Sequence, residues 1–339
     1  MAKLKSGYVP PFTITPEIVR LVSEISETIG GFSVTNSSEL PPVLRRGNRL
    51  RSIQSSLAIE NNTLTLEQVT AIINGKRVLG HPREIQEVKN AFATYEMLDK
   101  LSPLSAKDLL KAHEVLMSSL VDDAGRYRSG GVGIIKGKEI VHIAPPAERV
   151  PALMHDLFTW LKETDAHPLI ASSVFHYEFE FIHPFSDGNG RLGRLWQTVI
   201  LKRWRPILAY LPVETIIKDR QEEYYHVLEK SDQQADSTAF VAFMLNAILD
   251  SLRETMKTDQ DSDQDSDQVK RLLHVLERNP LSASDLMQRL DMSHRPTFRK
   301  NYLHPAINKG FVDMTIPDKP NSRLQKYRIT PKGIACIKG

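Results

Sequence analysis

Residues 183–194 read His-Pro-Phe-Ser-Asp-Gly-Asn-Gly-Arg-Leu-Gly-Arg. A turn made of Gly188, Asn189 and Gly190, set between two helical stretches at 171–181 and 192–201, opens the second helix. The first backbone N–H groups of such a helix have no carbonyl partner, lie at the positive end of its dipole, and cradle phosphate oxygens. Arg191 and Arg194, three residues apart on neighbouring turns, add planar guanidinium forks for the same anions. Asp187 can hold Mg²⁺, which rarely uses more than one or two carboxylates when phosphates supply its other ligands. His183 can take a proton from an attacking hydroxyl near neutral pH. Cradle, metal carboxylate, base and charge clamp in one short loop point to chemistry on a phosphate-bearing ligand. For the Gly-Asn-Gly triplet alone, a polar surface turn would be the simpler reading.

The elements that must hold this loop are mostly helical. Apolar spacings of three and four recur in Ile18, Leu21, Val22, Ile25 and Ile29, and again in Leu109, Leu110, His113, Leu116, Met117 and Leu120. Residues 130–146 break the pattern: two β-rich runs flank Lys136-Gly137-Lys138 and predict a short hairpin. Helical periodicity resumes at about Pro151 and runs through Leu161. Trp160, Trp196 and Trp204 lie in apolar helical stretches and are expected in the core.

With 339 residues, 41% hydrophobic and 25% charged, the chain has room for two or three domains of ordinary globular character. No apolar run reaches the roughly 20 residues that span a bilayer, and the first residues lack the apolar stretch of a secretory signal, so a cytoplasmic location without membrane contact is expected. The single cysteine, Cys336, has no intrachain partner, which excludes a disulfide framework and a thiolate metal site. Residues 258–267, TDQDSDQDSD, contain no apolar side chain and read as an acidic flexible linker. Beyond it, residues 268–339 carry 14 Lys and Arg against 5 Asp and Glu, so the basic partner surface belongs at that end. Three helices there (269–277, 284–290 and 296–308) precede strands at 311–316 and 324–330, a pattern that predicts a winged helix-turn-helix.

The string at 183–194 matches at every specified position the signature His-Pro-Phe-x-Asp/Glu-Gly-Asn-Gly-Arg-x-x-Arg, and the chain thereby resembles the Fic (Fido) family over roughly residues 45–247. The segment entering the loop, His176-Tyr-Glu-Phe179-Glu180-x-Ile182, is similar as well. The resemblance implies a mainly α fold: an N-terminal helical region at 1–84, a Fic catalytic core at 85–257 with a β-hairpin flap, then the linker and the winged helix. It implies a protein adenylyltransferase that uses ATP and Mg²⁺ to place AMP on Ser, Thr or Tyr hydroxyls. In that reading His183 deprotonates the target hydroxyl, Asp187 holds the magnesium, and the run Gly188, Asn189, Gly190, Arg191, Leu192, Gly193 and Arg194 binds the nucleotide, with Arg194 on the γ-phosphate. Tyr224, Tyr225 and Asp232 fall where the family closes on adenine, and the 130–143 hairpin would lay a target protein alongside as an added strand. Ser56-Leu-Ala-Ile-Glu60-Asn61 matches the family's inhibitory Ser/Thr-x-x-x-Glu-Gly/Asn motif, on a helix around 50–61, which implies that Glu60 pairs with Arg194 and blocks the γ-phosphate position.

Other readings stand beside this one. His176, Glu180 and His183 recur at helical spacing, yet no closing ligand set with zinc-like spacing accompanies them. His294, Arg295, Arg299 and Lys300 at the start of the third C-terminal helix, with Lys319, Arg323, Lys326 and Arg328 on the wing, suit nucleic-acid phosphates, but winged helices also serve as dimer or protein contacts. The alternatives to AMP transfer are a DNA-binding transcriptional regulator whose core senses nucleotide, and transfer of another phosphate-containing group by the same cradle.

Overall fold

The computed structural model describes residues 7–35, 40–136, 139–277, 279–320 and 322–338. By their internal contacts they form two compact units, Met1–Thr255 and Met256–Gly339.

The first unit begins with helix α1 (Pro16–Thr35), whose stripe of Ile18, Leu21, Ile25 and Ile29 is buried as its spacing requires. Helix α2 (Pro42–Ile59) starts on a proline, whose missing N–H costs nothing in a first turn, and ends with Glu60 as C-cap and Asn61 in the left-handed region (φ 66°). Helix α3 (Leu66–Ile73) opens with a capping box in which Thr65 and Gln68 satisfy each other's backbone N–H. The boundary expected between residues 84 and 85 falls inside helix α4 (Pro82–Glu96), and the N-terminal helices share one unit with the rest of the core. Helix α5 (Ala106–Leu116) stops before its apolar stripe does: Met117 is already the C-cap, and Ser119 turns the chain with φ 61°.

Strands β1 (Gly133–Lys136) and β2 (Glu139–Ile143) pair antiparallel, Gly133 opposite Ile143 and Lys136 opposite Glu139, with a bulge between Ile134 and Ile135. Gly137 and Lys138 of the expected turn lie outside the described residues. Helices α6 (Val150–Glu163), α7 (Pro168–Ile182) and α8 (Asn189–Trp204) follow. α7 is buried on nearly every face, with Phe175, Phe179 and Ile182 among its core residues, so it is the post on which the loop at 183–188 stands. Full burial of each such side chain contributes about 1.5–3 kcal/mol. Trp160 and Trp196 are core, but Trp204, at the end of α8, is half-buried against His167 and Arg205 because the last turn of the helix reaches the surface. Helices α9 (Val213–Asp219) and α10 (Gln221–Gln234) lead into α11 (Thr238–Leu276).

The acidic run at 258–267, expected as a flexible linker, is helical along its backbone as part of α11. Lack of apolar side chains removes packing, yet the run contains neither Gly nor Pro, so nothing in it breaks a helix propagating from either side.

The second unit packs the end of α11 (Val269, Leu272, Leu273 and Leu276) against Leu286, Phe298, Leu303 and Val312. Its elements run strand β3 (Leu281–Ser282), helix α12 (Ala283–Arg289), helix α13 (Arg295–Phe298), a π-helical turn (Arg299–Leu303), helix α14 (His304–Asn308), strands β4 (Val312–Met314) and β5 (Lys326–Ile329), and helix α15 (Pro331–Lys338). The sheet order is β3-β5-β4, antiparallel throughout. The third helix expected at 296–308 is divided into α13, the π turn and α14, with Pro305 in the first turn of α14.

Candidate active site

The loop between α7 and α8 takes its shape from three residues. His183 caps α7 in the left-handed conformation (φ 49°, ψ 62°), with its N–H bonded to Phe179 O at 2.9 Å. A non-glycine residue rarely sits there, so the surroundings must hold it. Buried Arg128 does so: Nε donates to His183 O (2.7 Å), Nη1 to Gly130 O (2.9 Å), and Nη2 to Pro145 O (2.6 Å) and Ile182 O (3.3 Å). Asn189 closes the loop, accepting from Phe185 N–H and donating back to Phe185 O, both at 2.9 Å. Only an amide can accept and donate in that way. Gly188, with φ 86°, is the N-cap of α8, and a Cβ there would lie 2.6 Å from Met117 Sδ.

The N–H groups of Asn189, Gly190 and Arg191 are the ones that the first turn of α8 leaves without helical partners. Leu192 lies outside this cradle: its N–H bonds Gly188 O at 3.0 Å and its side chain is core. Gly193 likewise faces α7, where a Cβ would meet Glu180 Oε1 at 2.7 Å. Of the run expected over 188–194, the free N–H groups are therefore those of the first turn of α8.

Arg194 projects from the next turn into a buried position between α8 and α2. Its Nε donates to Ser56 Oγ (3.1 Å), and its Nη2 donates to Ser56 O (2.9 Å) and Glu60 Oε1 (2.8 Å). Burial alone would depress the guanidinium, but Glu60, helped by Tyr224 and Glu180, outweighs it, and the net shift is upward. The same Glu60 oxygen lies against Gly190, so close that a Cβ on that glycine would collide with it. The carboxylate therefore occupies the mouth of the cradle. Glu60 is one-third exposed, so the pair is reachable from solvent.

Asp187 is held by positive charge on both sides. Oδ1 accepts from Arg191 Nη2 (2.7 Å) and Gly188 N–H (2.6 Å), and Oδ2 accepts from Arg83 Nη2 (2.9 Å). Glu87 extends the chain of charges, 3.4 Å from Arg191 and 3.7 Å from Arg83. Below the loop, buried His113 accepts from Gly125 N–H on Nδ1, which leaves Nε2–H to donate to Asp187 O at 3.0 Å, and its ring stacks on Phe185 with centroids 3.7 Å apart. Burial lowers its pKa, so the ring is neutral. Nothing in the sequence singles out Arg83, Glu87, His113 or Arg128 as loop supports; Arg128 lies 55 residues from His183 and Arg83 lies 104 from Asp187, and only the chain path brings them together.

Of the three expected adenine contacts, all on α10, Tyr224 and Tyr225 have ring centroids 5.4 Å apart. Tyr224 is buried, packed on Phe240 and Phe243 with its hydroxyl 3.3 Å from His176 Nε2. Tyr225 is 43% exposed and donates to Ile59 O at 3.4 Å, at the end of α2. Asp232 accepts from Tyr177 OH at 2.8 Å. His176 lies 2.7 Å from Gln197 Oε1, and burial pushes its pKa down to about 3, so it stays neutral.

Two family models match stretches of the chain, one of them spanning this loop. The profile of the Fic/DOC family matches residues 103–201, and that of the Filamentation induced by cAMP protein Fic-like, C-terminal domain matches residues 267–330. A solved structure of a Fic family protein from Desulfovibrio desulfuricans G20 is similar with TM-score 0.75 and 62% identity, covering 96% of this chain and 99% of that one. Curated relatives include Protein adenylyltransferase Fic of Nematostella vectensis, 31% identical over 204 residues (57% of this chain, 45% of the relative), and that of Drosophila willistoni, 29% identical over 220 residues (61% and 42%). The chain spans somewhat less than half the length of these curated relatives.

Proposed function

Since the chain belongs to the Fic family, we propose that it is a protein adenylyltransferase, moving AMP from ATP to Ser, Thr or Tyr hydroxyls of target proteins and held off by its own Glu60. The observation that carries this reading is the seat of the Glu60 carboxylate, on Arg194 and against Gly190 at once. An anion already fills the position that the loop is shaped to give to a phosphate.

His183, fixed by Arg128 on one side and Phe179 on the other, takes the proton of the target hydroxyl. The freed oxygen attacks the α-phosphorus, a P–O bond forms, and the bond to the β-phosphate oxygen breaks to release pyrophosphate. The N–H groups of residues 189–191 and the Arg191 guanidinium hold the phosphates, and Arg194, once Glu60 leaves, grips the γ-phosphate and orients the α-phosphate. Asp187 presents one hard carboxylate, 37% exposed, beside this cradle. That donor set fits a magnesium ion taking its other ligands from phosphate and water, and Asp187 would hold it in exchange for Arg83. The ion would supply charge neutralisation on the phosphates.

The hairpin β1–β2 supports docking of the target as an added strand. For the second unit, we read helices α12 to α14 with the β4–β5 hairpin as a winged helix. Its exposed Arg295, Lys300, Lys319, Arg323, Lys326 and Arg328 favour nucleic-acid phosphates as partner. No helix among the described residues is long and apolar enough to cross a membrane, and we place the protein in the cytoplasm.

The test is incorporation of α-labelled ATP, with Mg²⁺, into lysate proteins and the chain itself, by wild type, Glu60→Gly, and Glu60→Gly with His183→Ala. Label should rise strongly in the single variant and vanish in the double. Label from γ-labelled ATP instead would mean phosphate transfer, and none from either would favour a nucleotide-sensing regulator.

A further inference from the structure

Helix α2 is fastened to its unit by a polar seam that no step of the transfer uses. Along one face, Asn48 Nδ2 donates to Tyr210 O (3.0 Å), Ser52 Oγ donates to Glu214 Oε2 (2.8 Å), and Ser55 Oγ lies 3.2 Å from Thr215 Oγ1. Positions four and three apart share a helix face; Ser56, one turn beyond Ser52, and Glu60, one turn beyond Ser56, reach Arg194. Glu214, in the first turn of α9, is the ionisable member of the seam and only 2% exposed. Its other oxygen, Oε1, accepts from the Tyr95 hydroxyl of α4 at 2.9 Å. One carboxylate thus joins α2, α4 and α9.

A buried carboxylate is a costly way to hold helices together, and apolar packing through Ile53 and Leu57 already contributes adhesion. Adhesion does not fix axial position, because an apolar face slides with little directional penalty, whereas hydrogen bonds to a carboxylate weaken within a few tenths of an ångström. A slide of α2 by one residue is about 1.5 Å. It would break the Ser52 bond and draw Glu60 off Arg194. Burial raises the Glu214 pKa, while its own N–H, Ser52 and Tyr95 work to keep it ionised. The Tyr95 hydroxyl is shifted far upward by burial and by Glu214, as befits a permanent donor.

We propose that Glu214 is a positioning residue for the inhibitory pair, setting the axial register of α2 and through it the contact between Glu60 and Arg194. The inference rests on the autoinhibition described above, and its test separates the two. In wild type, Glu214→Ala raises AMP incorporation several-fold; on a Glu60→Gly background it adds nothing, since no inhibitory carboxylate remains to be placed. Glu214→Gln, which keeps an oxygen acceptor for one hydroxyl, falls between wild type and Glu214→Ala. Amide hydrogen exchange supplies a readout independent of activity: residues 52–60 exchange faster in Glu214→Ala, while α7 is unchanged. If Glu214→Ala does not fold, Ser52→Ala removes one end of the seam and shifts both readouts the same way. Unchanged exchange over 52–60, or incorporation that falls or stays level while Glu60→Gly is active, overturns the proposal. Should Glu60→Gly fail to raise incorporation, the autoinhibition reading fails, and exchange over 52–60 still decides whether Glu214 sets α2.

Discussion

Gly190 shows how much rests on one absent carbon. A Cβ there would strike Glu60 Oε1 and stand 3.0 Å from Arg194 Nη1, in the place that the proposed function gives to a phosphate oxygen. Gly190→Ala should therefore lose AMP incorporation and ATP affinity, and Glu60→Gly should not restore them; calorimetric titration with ATP checks both. Arg128 acts on the neighbouring segment by holding four carbonyls, His183 O among them. Arg128→Ala leaves those oxygens without their charged donor and should cost on the order of 3 kcal/mol, seen as a lower midpoint in urea. It should also lower the turnover of the Glu60→Gly enzyme as His183 loses its left-handed seat. The loop residues His183, Asp187 and Arg194 stand out in the sequence, because their types and spacing suggest the chemistry. The sequence is silent on Arg128, since an arginine that binds carbonyls leaves no periodic or compositional mark, and a linear motif does not say that Leu192 and Gly193 pack toward the core.

At the scale of elements, α7 carries a group whose charge depends on the fold. The Glu178 carboxyl is pushed up from the ordinary 4.5 to about 7, first by burial and then by Asp232, with the Tyr8 hydroxyl bond working against them. The folded state thus keeps a proton that the unfolded chain releases. Its contribution to stability is complete below the ordinary value and is lost as pH rises through about 7. The thermal midpoint of wild type should accordingly drop against that of Glu178→Gln between about pH 5 and about pH 8; parallel curves would mean that Glu178 is ionised in the fold. Helix positions such as α1 and α6 were legible from apolar spacing, and the hairpin from its β-rich runs. The end of α5, the helical backbone at 258–267 and the two-residue β3 were not, because capping, propagation from neighbouring turns and long-range pairing decide them.

Across the whole molecule, each unit has its own buried core, Phe175, Phe179 and Trp196 among others in the first and Leu272, Phe298 and Leu303 in the second. A chain ending near residue 257 should unfold cooperatively and, carrying Glu60→Gly, keep AMP incorporation; calorimetry and label transfer test this together. On the proposed reading, the inhibitory carboxylate and the substrate phosphate share one seat, and Gly190 and Arg194 serve both occupants. The routes to release are therefore lopsided. Damage to the loop or to Arg194 removes the block and the reaction at one stroke, whereas damage along α2 removes the block alone. A selection for constitutively active alleles should return changes at Ser56, Glu60 and the seam beneath them, and spare residues 183–194; a heritable on-state has to be written in the helix, not in the catalytic loop.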